Sequence, residues 1–389
     1  MSAVVRIYIK EMLSVLRERR VIFTTLILPI LLMPILMYGP LLFFGNAARQ
    51  TQEKVQQVGV QDVPEAALQR LRQAKVEPIP TQSPEADVRE QKVQAAVRFQ
   101  GGTFTIYGRL SGATQSSLVV SKLETALRNY KDELVAQTLR TKGLSTEILE
   151  PVQIRTQDAS RVQERAAGIF AFLIPYFLVI FILNGGQAVA IDSTAGEKEK
   201  GTLEALLAAP VPLSQIVIGK ALATLTVALT AALAGVIGIV LGGTVVRGLF
   251  APLLQRQNAN IGGGLSLEPW AYGALLATSI LFAALMVSVQ LSLGVYARSY
   301  KEAQSLMAPL LLVFIIPLLM LQFSDFLTQQ SWFYLIPAFN VMLLLDGLVK
   351  GSAQPWQVTL TWISTLAYAA LALGLAVRSF RREDVVFRN

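Results

Sequence analysis

The sequence predicts an α-helical polytopic membrane protein, with six transmembrane helices and a large extracytoplasmic α+β domain between helices 1 and 2. Three observations carry this. The 389 residues are 53% hydrophobic and only 15% charged, with mean hydropathy +0.50; a soluble chain carries nearer a quarter charged residues. Six segments reach the roughly 20 apolar residues that a helix needs to cross a bilayer core. Residues 45–165, between the first two, are instead rich in Gln, Arg, Lys and Glu.

The elements follow in order. Residues 1–20 form a cytosolic amphipathic helix. Val5, Ile9, Met12 and Leu16 recur at helical spacing, and Arg6, Lys10 and Arg17 lie off that stripe, as suits a helix in the inner interface. The first span, 21–44, holds Pro29, Pro34 and Pro40 and is expected to kink. In 45–165, "KVQQVGVQD" and "GTFTIYGRL" have the β-branched and aromatic content of strands. "PEAALQRLRQA" and "SSLVVSKLETALRNYKDELVAQTLRTKG" read as helices; in the second, Leu118, Leu123, Leu127 and Leu134 make the apolar stripe and Gly143 the C-cap.

Spans follow at 166–190, 216–246, 271–296, 303–323 and 358–378. Between them lie a cytosolic segment 191–215, an outer loop 247–270 and a cytosolic loop 297–302. The glycines of "GVIGIVLGG" in the third span suit close helix packing. Residues 324–357 contain an apolar run too short to span and interrupted by Pro337, Asn340 and Asp346, so they read as outer re-entrant or interfacial helices. Residues 379–389 form a cytosolic tail.

Charge sets the orientation. With the N-terminus inside, the inner segments carry fourteen Lys and Arg: Arg6, Lys10, Arg17, Arg19 and Arg20; Lys198, Lys200 and Lys220; Arg298 and Lys301; Arg378, Arg381, Arg382 and Arg388. The short outer segments carry three, Arg247, Arg256 and Lys350. Positive charge favours the cytosolic side, so both termini are placed in the cytosol. The same bias accounts for the net +8 without nucleic acid. With no Cys and no His, disulfides, Cys nucleophiles, Ser-His-Asp triads and His-ligated metal centres are excluded; no metal site is expected.

The segment "IDSTAGEKEKGTLEALLAAP" (191–210) gathers charge between two apolar stretches. Thr194 and Glu197 fit a capping box, so a short helix is expected to start there. Leu203, Leu206 and Leu207 form its apolar side, Pro210 and Pro212 stop it, and Gly201 weakens its middle. Such a helix suits docking to another protein; a solvated loop at the membrane surface is the alternative the residues leave open. Lys220 is expected to snorkel at the base of the third span.

"AGEKEKGTLEALLAAPVPLSQIVIGK" resembles the signature after the second helix of ABC-exporter permeases whose membrane domain is a separate six-helix chain, and is most like their sodium-efflux, NatB-like branch. "KEMLSVLRERRVIFTTLILPILLMPIL" and "IPAFNVMLLLDGLVKG" are similar to its first helix and outer segment. The resemblance implies a permease in the cytoplasmic (inner) membrane of a prokaryote, paired with a second permease subunit around a central path and docked to separate ABC ATPase subunits. It implies Glu197, Lys198, Glu199, Gly201, Thr202, Leu203 and Glu204 as the coupling contact, supported by Arg298, Lys301 and Glu302. Charge reversal at Glu197 and Glu199 is then expected to uncouple transport and spare membrane insertion. The chain binds no cofactor; ATP and Mg enter through the partner. Residues agree, since no G-x-x-x-x-G-K-[ST] loop is present: Gly219-Lys220 is followed by Ala221.

Asn184, Gln187, Gln290, Asn340 and Asp346 are the polar residues that could line the path, or serve as helix–helix glue. Sodium rests on the resemblance alone; drugs, peptides or lipids stay open. A membrane-anchored structural or envelope-assembly protein, acting through its extracytoplasmic domain, is the alternative function. An intramembrane enzyme lacks the necessary residues.

Overall fold

A computed structural model describes residues 2–110, 115–145, 161, 163–164, 170–256 and 267–381. Parts of the expected outer domain (111–114, 146–160), of the outer loop (257–266) and of the tail (382–389) lie outside the described residues. The chain divides into two compact units, Met1–Tyr38 with Ala159–Asn389, and Gly39–Asp158.

The second unit is α+β. Strands β1 (Gln56–Gln61), β2 (Val76–Pro80), β3 (Ala95–Gln100) and β4 (Thr103–Gly108) form one sheet in the order β2-β1-β3-β4. β1 runs parallel to β2 and β3, and β4 is antiparallel to β3. Helices Glu65–Gln73 and Gln115–Thr141 bury one face, with Val58, Val97, Leu71 and Leu123 in the shared core. The two strands and two helices expected from the sequence are present, and β2, β3 and helix Pro84–Arg89 are additional. Gly143 caps the long helix at φ +68°, with the Leu144 amide donating to Leu139.

The expected leucine stripe needs correction. The buried face is Ser116, Val119, Leu123, Ala126, Leu127 and Tyr130, while Leu134 is 43% exposed. Leu134, seven residues after Leu127, lies on the same helix face, but it falls beyond Tyr130, the last buried position.

Among the described residues of the first unit, six helices are long and apolar enough to cross a membrane: Arg19–Leu36, Leu173–Glu199, Leu213–Gly242, Pro269–Tyr296, Tyr300–Phe323 and Pro355–Phe380. The first carries a π-helical turn at Phe23–Ile27, just before Pro29. The fourth and sixth are joined along their length by polar contacts: Trp362 to Thr278 (2.9 Å), Ser292 to the Ala372 carbonyl (3.0 Å) and Ser379 to Tyr296 (3.0 Å). Such bonds hold helices together where burial from water gives no drive. Helix Phe339–Lys350, in the segment too short to span, is buried from Asn340 through Val349.

Glycines of the third span bring it onto its neighbours, as expected. A methyl at Gly238 would lie 2.9 Å from the carbonyls of Pro29 and Ile30, and one at Gly242 would lie 2.8 Å from Pro34. Backbone cannot swing aside as a side chain can. Gly238→Val should therefore force the first span away and cost about 1–3 kcal/mol, read as a lower thermal unfolding midpoint in detergent. Gly273→Ala, where an added methyl meets nothing within 4 Å, should leave the midpoint unchanged or raise it.

Candidate functional site

The second span does not stop where the membrane segment was expected to end. Its helix Phe170–Ile191 passes through a π-helical turn, Asp192–Gly196, and continues as Glu197–Glu199. Thr194 is no N-cap. Its hydroxyl donates to Ala190 at 2.6 Å inside the helix, and Gly294 makes room for it, since a methyl there would fall 2.2 Å from that hydroxyl. The capping box expected at Thr194–Glu197 is therefore absent.

Gly201, read as a weak point inside a helix, is instead where the helix ends. Its φ is +68°, a left-handed conformation that L side chains adopt at a cost. The chain turns there into a short tip helix, Thr202–Leu207. The Thr202 hydroxyl ties back to the Glu197 carbonyl at 3.2 Å. Leu203 is 1% exposed and packs on Val217, Val295, Ala376 and Phe380, at the bases of the third, fourth and sixth spans.

Beneath the tip lies a buried ionic cluster. Lys220, in the third span, is fully buried. Its ammonium donates to Glu197 (2.6 Å), to Glu11 of the N-terminal helix (3.0 Å) and to the Ser193 carbonyl (2.8 Å). All three N–H groups of the ammonium are used. Lys10 closes the cluster, bonding Glu11 at 3.0 Å and also Glu197. Two cations face two carboxylates. Lys220 thus does not snorkel: acceptors surround it, so it need not reach water.

Lys10 itself is half-exposed. Burial pulls its ammonium down, but the hydrogen bond to Glu197 and the charges of Glu11 and Glu197 outweigh that, leaving its pKa above the ordinary value of 10.5. The stability it contributes is present below that value and lost only as pH rises through the raised one.

Two further ties leave the same helix end. Lys198 donates to the carbonyls of Val295 (2.9 Å) and Ala297 (3.2 Å), and the Glu199 carboxylate accepts from the Tyr300 amide (2.9 Å). Within the turn between the fourth and fifth spans, Glu302 accepts from the Arg298 amide at 2.7 Å, and Ser299 caps the fifth span's helix. Among the residues singled out from sequence, Glu197, Lys198 and Leu203 are buried or half-buried. Glu199, Gly201, Thr202, Glu204, Arg298, Lys301 and Glu302 are exposed, and of these Glu199, Thr202, Arg298 and Glu302 also bond within the chain.

The N-terminal helix presents three sides. Ile7 and Glu11 face the protein; Val5, Ile9, Leu13 and Leu16 are exposed; Arg6, Lys10 and Arg17 lie between. A methyl at Gly219 would fall 2.8 Å from Ile7, so the third span's glycine seats this helix. Glu11 escaped the sequence reading. Its signal is an acid four residues after Ile7, on the side of the helix away from the apolar stripe.

The polar membrane residues form no single site among the described residues. Gln290 donates to the Leu183 carbonyl at 2.8 Å, and Asn184 donates to Ile180 within its own helix. Gln187 is half-buried. Asn340 donates to Ser364 and Thr365 (3.0 Å each), and Asp346 accepts from Lys350 at 2.7 Å. Gln290 and Asn340 thus join helices.

Removing Lys220 would leave two carboxylates buried beside a half-exposed Lys10. Lys220→Met should therefore destabilise the protein by about 3–5 kcal/mol, measured as thermal unfolding in detergent. Adding Glu197→Gln should restore part of the loss. By the same reasoning, reversing Glu197 would set three cations against Glu11 and damage the fold itself, so it cannot report on coupling alone.

Two comparisons bear on this architecture. Residues 19–378 match the ABC-2 family transporter protein model. The chain is 26% identical over 394 aligned residues to the ABC transporter permease protein NatB of Bacillus subtilis (strain 168), with 98% of each chain covered. With six apolar helices across the matched region, the chain belongs to the ABC-2 family of transporter proteins and resembles NatB along nearly its whole length.

Proposed function

We propose that this chain is the non-catalytic permease subunit of an ATP-driven exporter in a prokaryotic cytoplasmic membrane, with both termini cytosolic. Two permease subunits form the path, and a separate ATPase grips each from the cytosol. One observation carries the reading: the helix end Glu197–Glu199 and the tip that follows Gly201 are together bonded into four spans and the N-terminal helix. Glu197 holds it to Lys220 and Lys10, Lys198 and Glu199 hold it to the fourth–fifth turn, and Leu203 seats it on the third, fourth and sixth spans. A push on the tip would be shared among all of them.

In this reading the ATPase contacts Gly201, Thr202, Glu204, Arg298 and Lys301, all of them exposed. Glu197, Lys198, Glu199, Leu203 and Glu302 position them. ATP and Mg act on the partner. The substrate class is a sodium ion or a small molecule such as a drug, sodium being suggested by the resemblance to the sodium-efflux branch. Gln187, with Asn184, Gln290, Asn340 and Asp346, supplies polar groups to the path when the subunits move.

The test is gentle purification of the tagged chain from its native membrane. A P-loop ATPase should accompany it in stoichiometric amount. A Glu204→Lys, Lys301→Glu variant, altered only at exposed positions, should lose the ATPase while keeping its unfolding midpoint. If neither chain yields an ATPase, with nucleotide and crosslinker present, the coupling assignment fails.

A further inference from the structure

The sheet of the 39–158 unit has two edges, and the sequence treats them in opposite ways. At the β2 edge, the Thr81 amide donates to the Val60 carbonyl of β1 at 3.0 Å. Alternate residues of a strand point the same way, so positions 77, 79 and 81 face β1, and 76, 78 and 80 face outward. Pro78 and Pro80 occupy two of those outward positions. Neither proline costs the ladder a hydrogen bond, and each removes a donor from the edge. This is how an edge is closed to further strands.

The β4 edge has no such protection. Its strand, Thr103-Phe104-Thr105-Ile106-Tyr107-Gly108, holds neither proline nor charge. Gly101 and Gly102, at φ +58° and +81°, form a two-residue turn of the kind favoured in hairpins. That turn pairs Gln100 with Thr103, Arg98 with Thr105 and Ala96 with Tyr107, and directs their amides and carbonyls into the β3–β4 ladder. The backbone groups of Phe104 and Ile106 therefore point outward. Among the described residues, no hydrogen bond reaches them from outside the strand.

We infer that this edge pairs with the same edge of a second copy of the chain, joining two four-stranded sheets across the permease dimer. The inference rests on the paired-subunit reading above. Three points favour a second copy. First, antiparallel pairing of β4 with itself obeys two-fold symmetry, which closes a dimer. With the opposite edge closed by prolines, assembly stops at two.

Second, one register satisfies the strand. Centred on Ile106, it sets Ile106 against its counterpart and Phe104 against Gly108. The outward groups of all three then bond across the join. Thr105 meets Tyr107 on the other face, a favourable β-branched–aromatic pair, and no like charges meet. Third, one strand edge is far smaller than the roughly 1,200–2,000 Å² of a stable free interface. Two copies held in one membrane complex would supply the effective concentration that such a join needs.

The chain contains no cysteine, which allows a direct test in full-length protein in membranes. Thr105 and the counterpart Tyr107 would form a non-hydrogen-bonded pair, with Cα atoms about 4.5 Å apart. That separation suits a disulfide. Thr105→Cys, Tyr107→Cys should form an oxidised dimer at least about tenfold faster than a Glu77→Cys, Ile79→Cys control on the proline edge. Adding Ile106→Pro removes one outward donor and leaves the β3–β4 ladder intact, so it should abolish the crosslink.

Co-purification of two differently tagged copies, run in parallel, separates the two claims. Copies that associate without the β4 crosslink, or that crosslink equally at both edges, overturn the strand pairing and leave the dimer standing. Copies that do not associate overturn the dimer, and the strand pairing with it.

Discussion

The Lys220 ammonium is the interaction on which the rest depends. It is fully buried at the base of a membrane helix. An unpaired charge there would cost several kcal/mol or shed its proton. Three acceptors converge on it from two other elements: Glu11 from the N-terminal helix, and Glu197 and the Ser193 carbonyl from the second span. None of the three elements can move alone without stripping a buried ion of its partner. The penalty for breaking the cluster makes them a single body.

The surrounding geometry serves that constraint. The π-helical turn at Asp192–Gly196 carries the second span's helix on to Glu197 without a break. Gly219 lets the N-terminal helix approach closely enough for Glu11 to reach Lys220. Gly201 ends the rigid portion and turns the chain into the tip. A contact made at the tip would therefore act at the fixed end of several spans. On the proposed reading, this is how closure of an ATPase becomes a displacement of membrane helices. Stability and coupling share the same bonds, and the reversal of a single charge would strike both.

Much of this architecture was legible in the sequence, and the failures have physical causes. The six spans stand out because about 20 apolar residues have few other uses. β1 and β4 show in the β-branched and aromatic content of "KVQQVGVQD" and "GTFTIYGRL". β2 does not, because Pro78 and Pro80 argue against any strand unless it lies at an edge. β3, "AAVRFQ", is an apolar run without turn residues before it. At the site, the capping-box pattern at Thr194 misled because the same residues also fit a helix interior when a neighbouring glycine, Gly294, makes room. Lys220 was misread for a different reason. Snorkelling and burial begin from the same sequence, a lysine near a helix end, and only the fold reveals whether acids await it. The balanced pair of Glu11 and Lys220, each beside an apolar face, was the available clue.

The central claim is that the cluster transmits motion from the tip to the spans. In a chain without native cysteine, a single Asn184→Cys reports on the exposed face of the second span. The complex with its ATPase would be reconstituted, and the labelling rate by a membrane-impermeant maleimide compared with and without ATP. With the cluster intact, ATP should change that rate. With Lys220→Met, Glu197→Gln added, the ATPase should still bind and hydrolyse ATP, but labelling should cease to respond. An unchanged response in that variant, with folding and ATPase binding retained, would contradict the account.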